Sequence, residues 1–315
     1  MNWLEISVET EAAAVETVCA VMHEYGEGGV SVHQDVIPDD EDAAYHYDSS
    51  RPTIVSTYVP ATDDGLRRRE AIVAAFGHLT AFKLADIGEV RSREVADEDW
   101  ANAWKEYFQP MRFGRRLVVK PSWQAFASRP DDLVVELDPG MAFGTGLHQT
   151  TALCLEMLEN YVQPGMRVLD QGAGSGILSL AAARLGAGHV VAVDVSEVAV
   201  LTARENVARN GLDNLITVLP GSAVPGTAEW AATHPPLPEG LPRSYDLVVA
   251  NIIANVIIAL APRFAEVLVP GCLLIASGII REREEEVRAA LQAAGFSVER
   301  AEHRDEWVAL VARRS

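Results

Sequence analysis

The sequence is short of cysteine, with three in 315 residues, and short of base, with 26 Lys and Arg against 45 Asp and Glu. Cys19, Cys154 and Cys272 are odd in number and far apart, which excludes a disulfide framework and the close pairs of a zinc site. They read as reduced, buried small hydrophobes, and no metal is expected. No stretch reaches 18 consecutive apolar residues, so no membrane helix is expected. Met1 to Thr10 has neither the basic head nor the apolar run of a secretory signal, and a cytoplasmic protein is expected. The His-Glu-x-x-His helix, the Gly-x-Ser-x-Gly elbow and the Walker loop are absent too, which removes support for metalloprotease, hydrolase and nucleotide-kinase chemistry.

What is present suits a globular chain of about two domains, with 49% hydrophobic and 23% charged residues. The net charge of -19 is uneven: residues 1 to 99 hold 21 Asp and Glu against 7 Lys and Arg, leaving 24 against 19 for the rest. Such a field repels phosphates and attracts basic partners. A basic protein partner is therefore expected, without direct nucleic-acid or membrane contact, and monomer is the default state.

Residues 1–93 read as strand, helix, strand, strand, helix, strand, a small α+β ferredoxin-like domain. Val15, Val18, Cys19 and Met22 share one helical face, Ile54 to Val59 reads as a strand, and Ile72, Val73 and Phe76 as the inner face of a second helix. Residues 94–132 read as a connector in which Trp100 and Trp104, four apart, share a helix face. Over 133–315 apolar strands alternate with amphipathic helices, the pattern of a mostly parallel sheet covered on both faces. Strands are expected at 167–170, 190–195, 216–219, 246–250, 273–277, 298–302 and 307–312. The last two are close enough for a hairpin, so one of them can run antiparallel. The six prolines between Pro220 and Pro242 suggest an irregular surface loop.

One strand, Arg167-Val-Leu-Asp170, runs into Gly172-Ala-Gly174-Ser-Gly176 and a helix from Ile177. A glycine loop at the carboxyl end of a strand is a ligand loop, because bare backbone approaches where a side chain would clash. The third glycine comes one residue early for a dinucleotide fingerprint. Asp170 would also repel a pyrophosphate, yet would pair with the ammonium of a methionine moiety. S-adenosyl-L-methionine is therefore expected over a dinucleotide. Asp194 closes the next strand, 22 residues after Gly172, where a carboxylate can accept both ribose hydroxyls. Ser196 is better placed than Asp194 to cap the following helix. Asn251 ends the strand from Tyr245 and can accept from an amine. The segment Leu137-Asp-Pro-Gly-Met-Ala-Phe-Gly-Thr-Gly146, followed by His148 to Thr151, reads as a loop over the cofactor with Phe143 as a wall of the transfer pocket. For His148 a structural role weighs at least as much as a catalytic one.

With these residues in place, the chain resembles the ribosomal protein L11 methyltransferase family. The likeness rests on Asp99-Trp100 with Trp104, Pro110-Met-Arg-Phe-Gly114, Pro121-Ser-Trp123, Asp138 to Gly146 with Thr150-Thr151, and Gly174-Ser-Gly-Ile-Leu178. It continues through Arg204-Glu-Asn206 with Asn210-Gly211, Val249-Ala-Asn-Ile252, Ser277-Gly-Ile279 and Glu306-Trp307. The resemblance implies a seven-stranded class I methyltransferase domain behind a small domain that recognises the ribosomal protein. It also implies methylation of lysine side-chain amines and the terminal α-amine of ribosomal protein L11. Carried over by position, it places cofactor contacts on Thr151, Gly172, Asp194 and Asn251, to which the residues themselves add Asp170 and Gly174. The chain departs from the family at Gln171, Ala173, Gln149 and Cys272 and in the length of the 220–244 loop.

The expected chemistry is in-line attack of a neutral amine on the sulfonium methyl, with Asn251 orienting the nitrogen, Phe143 excluding water and no obligatory general base. Two other readings stand beside it. Methylation of an exocyclic amine on a nucleic-acid base is disfavoured because Asn251-Ile-Ile lacks the Pro-Pro-aromatic step that stacks a flipped base. A non-catalytic S-adenosylmethionine-binding module would bind the cofactor without transfer.

Overall fold

The computed structural model describes residues 2–11, 14–26, 30–33, 36–38, 45–47, 51–81, 87–96, 109–138, 148–222 and 244–315. It divides into two compact units, Met1–Gln109 and Pro110–Ser315. Among the described residues no helix is long and apolar enough to cross a membrane.

The first unit runs β1 (Asn2–Thr10), α1 (Val15–Tyr25), β2 (Val30–His33), β3 (Val36–Pro38), β4 (Tyr45–Tyr47), β5 (Thr53–Pro60), α2 (Asp63–Ala81) and β6 (Arg91–Ala96). Its main sheet has the order β2-β5-β1-β6 with antiparallel neighbours throughout, the ferredoxin-like arrangement, and β3 pairs with β4 as a small addition. Alternation builds this unit. Ile6 and Val8 of β1 and Val55 and Val59 of β5 turn inward to meet Val15, Val18 and Met22 of α1 and Ile72 and Phe76 of α2. Val73 does not join them: one residue round the helix from Ile72, it is exposed, so the inner face of α2 is narrower than expected.

The second unit opens with a three-stranded sheet, β7 (Met111–Phe113), β8 (Leu117–Lys120) and β9 (Leu133–Glu136), antiparallel between β7 and β8 and parallel between β8 and β9. The division of the chain thus falls inside the segment 94–132 expected as a connector, and the part from Met111 is folded sheet. Trp100 and Trp104 lie outside the described residues.

There follow α3 (Gln149–Tyr161), β10 (Arg167–Gln171), α4 (Ile177–Arg184), β11 (His189–Asp194), α5 (Glu197–Arg209), β12 (Ile216–Pro220), β13 (Tyr245–Asn251), α6 (Ala254–Val267), β14 (Leu268–Ile280), α7 (Glu284–Ala293), β15 (Phe296–Arg304) and β16 (Trp307–Arg314). The large sheet has the order β12-β11-β10-β13-β14-β16-β15. Pairings from β12 to β14 are parallel, and β16 is antiparallel to both its neighbours. This is the class I methyltransferase, Rossmann-like, arrangement, and the hairpin of the last two strands supplies its antiparallel member. Val190, Val191, Ala192 and Val193 are all fully buried, as a strand covered on both faces requires. β14 begins at Leu268, earlier than its apolar run suggested, and a bulge between Tyr245 and Leu247 marks the irregular start of its ladder with β13. All three cysteines are thiols, but only Cys154 is fully buried; Cys19 and Cys272 are half-buried. In open sheets of this type the ligand crevice lies at the carboxyl ends of the central strands.

Candidate functional site

The carboxyl ends of β11, β10 and β13 are adjacent in that order, about 4.8 Å apart from strand to strand. Five of the expected site residues sit at or just beyond these ends: Asp194 on β11; Asp170, Gly172 and Gly174 on and after β10; Asn251 on β13. Thr151 joins them from the first turn of α3, where its Oγ1 accepts from Asn251 Nδ2 at 3.2 Å. Phe143, the expected wall of the transfer pocket, lies outside the described residues, as does the 223–243 part of the proline-rich segment.

The glycine loop is wired residue by residue. Gly172 and Ala173 donate their N–H groups to the Val193 carbonyl at 2.9 and 3.0 Å, Gly174 donates to Asp194 Oδ2 at 2.8 Å, and Gly176 N–H closes on the Ala173 carbonyl at 2.8 Å. Gly172, at φ +79°, needs glycine twice over. Its backbone is left-handed, and a Cβ there would stand 2.5 Å from Ile252 Cγ2. Gly278, at φ +84°, presses on the other side of the same residue: its Cβ would come within 2.5 Å of the Ile252 carbonyl oxygen.

Asp194 binds the site together. Its Oδ2 holds Gly174 and its Oδ1 accepts from Ser196 N at 2.9 Å, while Ser196 caps α5 by accepting from Ala199 N. Ser196 is thus the cap of α5, as expected. A carboxylate oxygen has two lone-pair directions, so each Asp194 oxygen keeps capacity for one more donor.

Asp170 is fully buried. Its Oδ2 accepts from Ser179 Oγ at 2.6 Å, and its Oδ1 has no partner among the described residues. Burial pushes its carboxyl up to about 7, the Ser179 bond opposes this, and the charge of Asp194 adds to the rise. An orphaned acceptor in this setting calls for a donor. The ammonium group of a methionine moiety has the right charge and hydrogens, so the residues present fit S-adenosylmethionine. At Asn251 the amide donates to Thr151, and no donor among the described residues reaches its Oδ1, which leaves a carbonyl oxygen for an amine.

His148 is the N-cap of α3, its side chain accepting from Thr150 N and its Nδ1 lying 2.7 Å from Thr150 Oγ1. It meets the Trp307 ring edge-on at 4.8 Å, and burial lowers its imidazole to about 4, so it is neutral at physiological pH. Its neighbour Gln149 donates to Asp305 Oδ2 at 2.8 Å, which joins the start of α3 to the turn between β15 and β16. Gln171, where the family likeness is broken, is buried and accepts from Ser222 Oγ at 2.9 Å, so its polarity ties the end of β10 to the chain after β12. None of these long-range bonds has a local signature in sequence. Asn206, which carries four hydrogen bonds near the loop, was legible only as part of the Arg204-Glu-Asn206 motif.

Comparison with known proteins bears on this site. The family model described as "Ribosomal protein L11 methyltransferase (PrmA)" matches residues 2–315. A protein of Chloroflexus aurantiacus named ribosomal protein L11 methyltransferase is 46% identical over 99% of this chain and 98% of its own length. A namesake from Pelotomaculum thermopropionicum is 44% identical over 99% of each chain. Among solved structures, the ribosomal protein L11 methylase of Lactobacillus delbrueckii subsp. bulgaricus superposes with a TM-score of 0.57 at 31% identity, covering 66% of this chain and all of its own.

Proposed function

The chain belongs to the ribosomal protein L11 methyltransferase family, and from that premise we propose how it works: methyl groups pass from S-adenosylmethionine to lysine side-chain amines and the terminal α-amine of ribosomal protein L11. It is an S-adenosylmethionine-dependent protein methyltransferase by family and fold. The observation that carries the residue-level reading is the row of Asp194, Asp170 and Asn251 on three adjacent strand ends, each with acceptor capacity to spare.

In this reading Asp194 accepts the two ribose hydroxyls, the buried Asp170 faces the ammonium, and Gly172 and Gly174 let the backbone approach. When bound, the cofactor supplies an electrophilic methyl group on a sulfonium. Asn251 Oδ1 accepts a hydrogen from the incoming amine and so orients its lone pair, while Thr151 Oγ1 holds the Asn251 amide in place. With the cofactor bound, the amine would form its N–C bond as the C–S bond broke, and the proton it must lose would pass to water. Alignment alone is worth roughly 7 to 11 kcal/mol in well-oriented reactions. An α-amine with pKa about 7.7 to 8.0 keeps a substantial neutral fraction near neutral pH, roughly a tenth or more, whereas a lysine near 10.4 must first be desolvated or deprotonated.

The domain reading follows the same line with its bounds shifted: the unit Met1–Gln109 presents the protein substrate, and the unit Pro110–Ser315, which takes in the sheet from Met111, carries the transfer. The acid excess of residues 1–99 suits a basic substrate such as a ribosomal protein. A cytoplasmic monomer that binds no nucleic acid directly completes the proposal.

The test is to incubate the protein with methyl-labelled cofactor and ribosomal proteins from a strain lacking its gene. Label on lysines and the amino terminus of ribosomal protein L11 is expected. Label on RNA would instead support base methylation, and cofactor binding without any transfer would support a non-catalytic module.

A further inference from the structure

We propose that Asn206 is a positioning residue that sets the glycine loop for cofactor binding by holding the Ser175 carbonyl and the edge of β9 at once. The proposal rests on the cofactor reading given above.

The premise is a strand edge. β9 is the outer strand of its three-stranded sheet, with β8 on one side only. An edge strand presents N–H and C=O groups that must find partners. Here the partners are two side-chain amides. Asn210 Oδ1 accepts from Glu136 N at 3.0 Å while its Nδ2 donates to the Glu136 carbonyl at 2.6 Å. Asn206 Oδ1 accepts from Asp138 N at 3.1 Å while its Nδ2 donates to the Asp138 carbonyl at 3.0 Å. Leu137, between them, turns the other way and gives its N–H to Lys120 of β8 at 2.8 Å.

The spacing explains why two asparagines can do this. One helical turn of four residues advances about 6.0 Å, and two strand residues advance about 6.6 Å. Residues 206 and 210 on α5 therefore meet residues 138 and 136 in step. An amide carries a donor and an acceptor in the geometry of a peptide group, so each asparagine stands in for one rung of a missing strand. Arg209 reinforces the clasp, with its guanidinium 3.1 Å from Asp138 Oδ2 and 2.9 Å from Asn206 Oδ1.

The two asparagines differ in one respect. The second donor hydrogen of Asn210 goes to the Asn206 carbonyl in its own helix, at 2.8 Å. That of Asn206 goes to the Ser175 carbonyl, at 2.9 Å, in the loop between Gly174 and Gly176. Asn206 and Ser175 are both fully buried, and Ala203, one turn earlier on the same face, closes on Gly176. Asp194 thus holds one side of the loop through Gly174 N–H, and Asn206 holds the opposite side through the next carbonyl. Loss of Asn206 would remove the bond that ties this carbonyl to α5, leaving the loop held through Gly174 N–H on Asp194 and Gly176 N–H on Ala173.

The experiment uses the full chain and S-adenosylhomocysteine binding by calorimetry, with melting temperature read in parallel. Asn206→Asp keeps the shape but removes both N–H donors and sets oxygen against two carbonyls. We expect it to weaken binding by roughly tenfold or more and to raise KM for S-adenosylmethionine while KM for the protein substrate stays put. Asn210→Ser, which breaks the Glu136 rung and the bond to the Asn206 carbonyl but leaves the Ser175 carbonyl held, should lower the melting temperature yet bind within about twofold of the parent. If Asn206→Asp does not fold, Asn206→Ser, which keeps one donor in a smaller side chain, is read by the same measure. Parent-like binding in a folded Asn206 variant, or losses at 206 and 210 that merely track melting temperature, would overturn the proposal. A parent protein that does not bind the probe would overturn the cofactor reading beneath it instead.

Discussion

Carboxylates do different work in the two units. In the first, Glu9 pairs with Arg91 and Asp64 with Arg67 and Arg68, all across solvent, with the Glu9 and Arg91 side chains 40% and 68% exposed. In the second, Asp132 takes Arg112 in a two-pronged pair at 2.6 and 2.9 Å, with side chains only 2% and 8% exposed. Glu159, equally buried, accepts the backbone N–H groups of Arg115 and Arg116 and so pins the β7–β8 turn to α3. Exposed pairs are screened and contribute little, whereas a desolvated carboxylate is secured only by full hydrogen bonding. Exposed pairs such as Arg263–Glu266 occur in the second unit too, so what sets it apart is the added set of desolvated scaffold carboxylates, of which Asp170 is left with an oxygen lacking a partner among the described residues.

Four substitutions put this contrast at risk. The largest effect is expected at Asp132→Ala, which removes both prongs from the Arg112 guanidinium; a loss of roughly 3 kcal/mol and a melting temperature lower by roughly 6 to 12 °C should follow. A near-silent result would erase the distinction between the units.

Asp194→Ala should come next, reducing cofactor affinity about a hundredfold through two lost charge-assisted bonds. Retained affinity in calorimetry would move the ribose site elsewhere.

Asp170 sharpens the contrast through pH. Its carboxyl titrates at about 7, so it is neutral in the free protein below that pH, while a cationic ligand favours the ionised form. Cofactor affinity should therefore fall as pH drops below about 7, by up to tenfold per unit, with a proton released on binding near neutrality. Asp170→Asn should bind weakly and without that dependence; a wild-type affinity flat from pH 6 to 8 would remove the ammonium contact. In the free protein the raised value also means stability conferred at low pH and lost as pH climbs through about 7. His148, lowered to about 4, acts in the opposite sense, losing stability as pH falls below about 6.5. The Asn variant should expose that acid-side loss.

Smallest of all, Glu9→Gln should change stability by less than about 0.5 kcal/mol. A larger loss would show that the outer face of the small sheet is scaffold as well.

Much of the architecture was legible because burial imposes a period. Unbroken apolar runs such as Val190 to Val193 marked parallel strands, and spacing at Val15, Val18 and Met22 marked α1. The three-stranded sheet of residues 111–136 was not legible, because its strands are three or four residues long and too short to show a period. Val73 was misplaced for a related reason: an apolar residue one step off the face looks like part of it. At the site, Asp170 and Asp194 were visible as strand-end carboxylates beside glycine. The clasp at Asn206, the Gln149–Asp305 bond and the Gln171–Ser222 bond join residues dozens of positions apart, and no local pattern encodes them.

Ile252 is gripped between two glycines, Gly172 against its side chain and Gly278 against its backbone, and the residue before it is Asn251. Substitution at Gly278 would therefore be expected to register in an activity assay as though Asn251, the proposed amine-binding residue, had been altered, although Gly278 lies 27 positions along the chain. Tolerance at positions 172, 252 and 278 is collective. A smaller residue at 252 relieves only the contact with a Cβ at 172 and leaves the left-handed backbone strained, so single-site scans combine both effects with any contact to the ligand. In the pair Gly172→Ala with Ile252→Ala the side-chain clash is removed, and the loss that remains reports the left-handed backbone and the approach to the cofactor together.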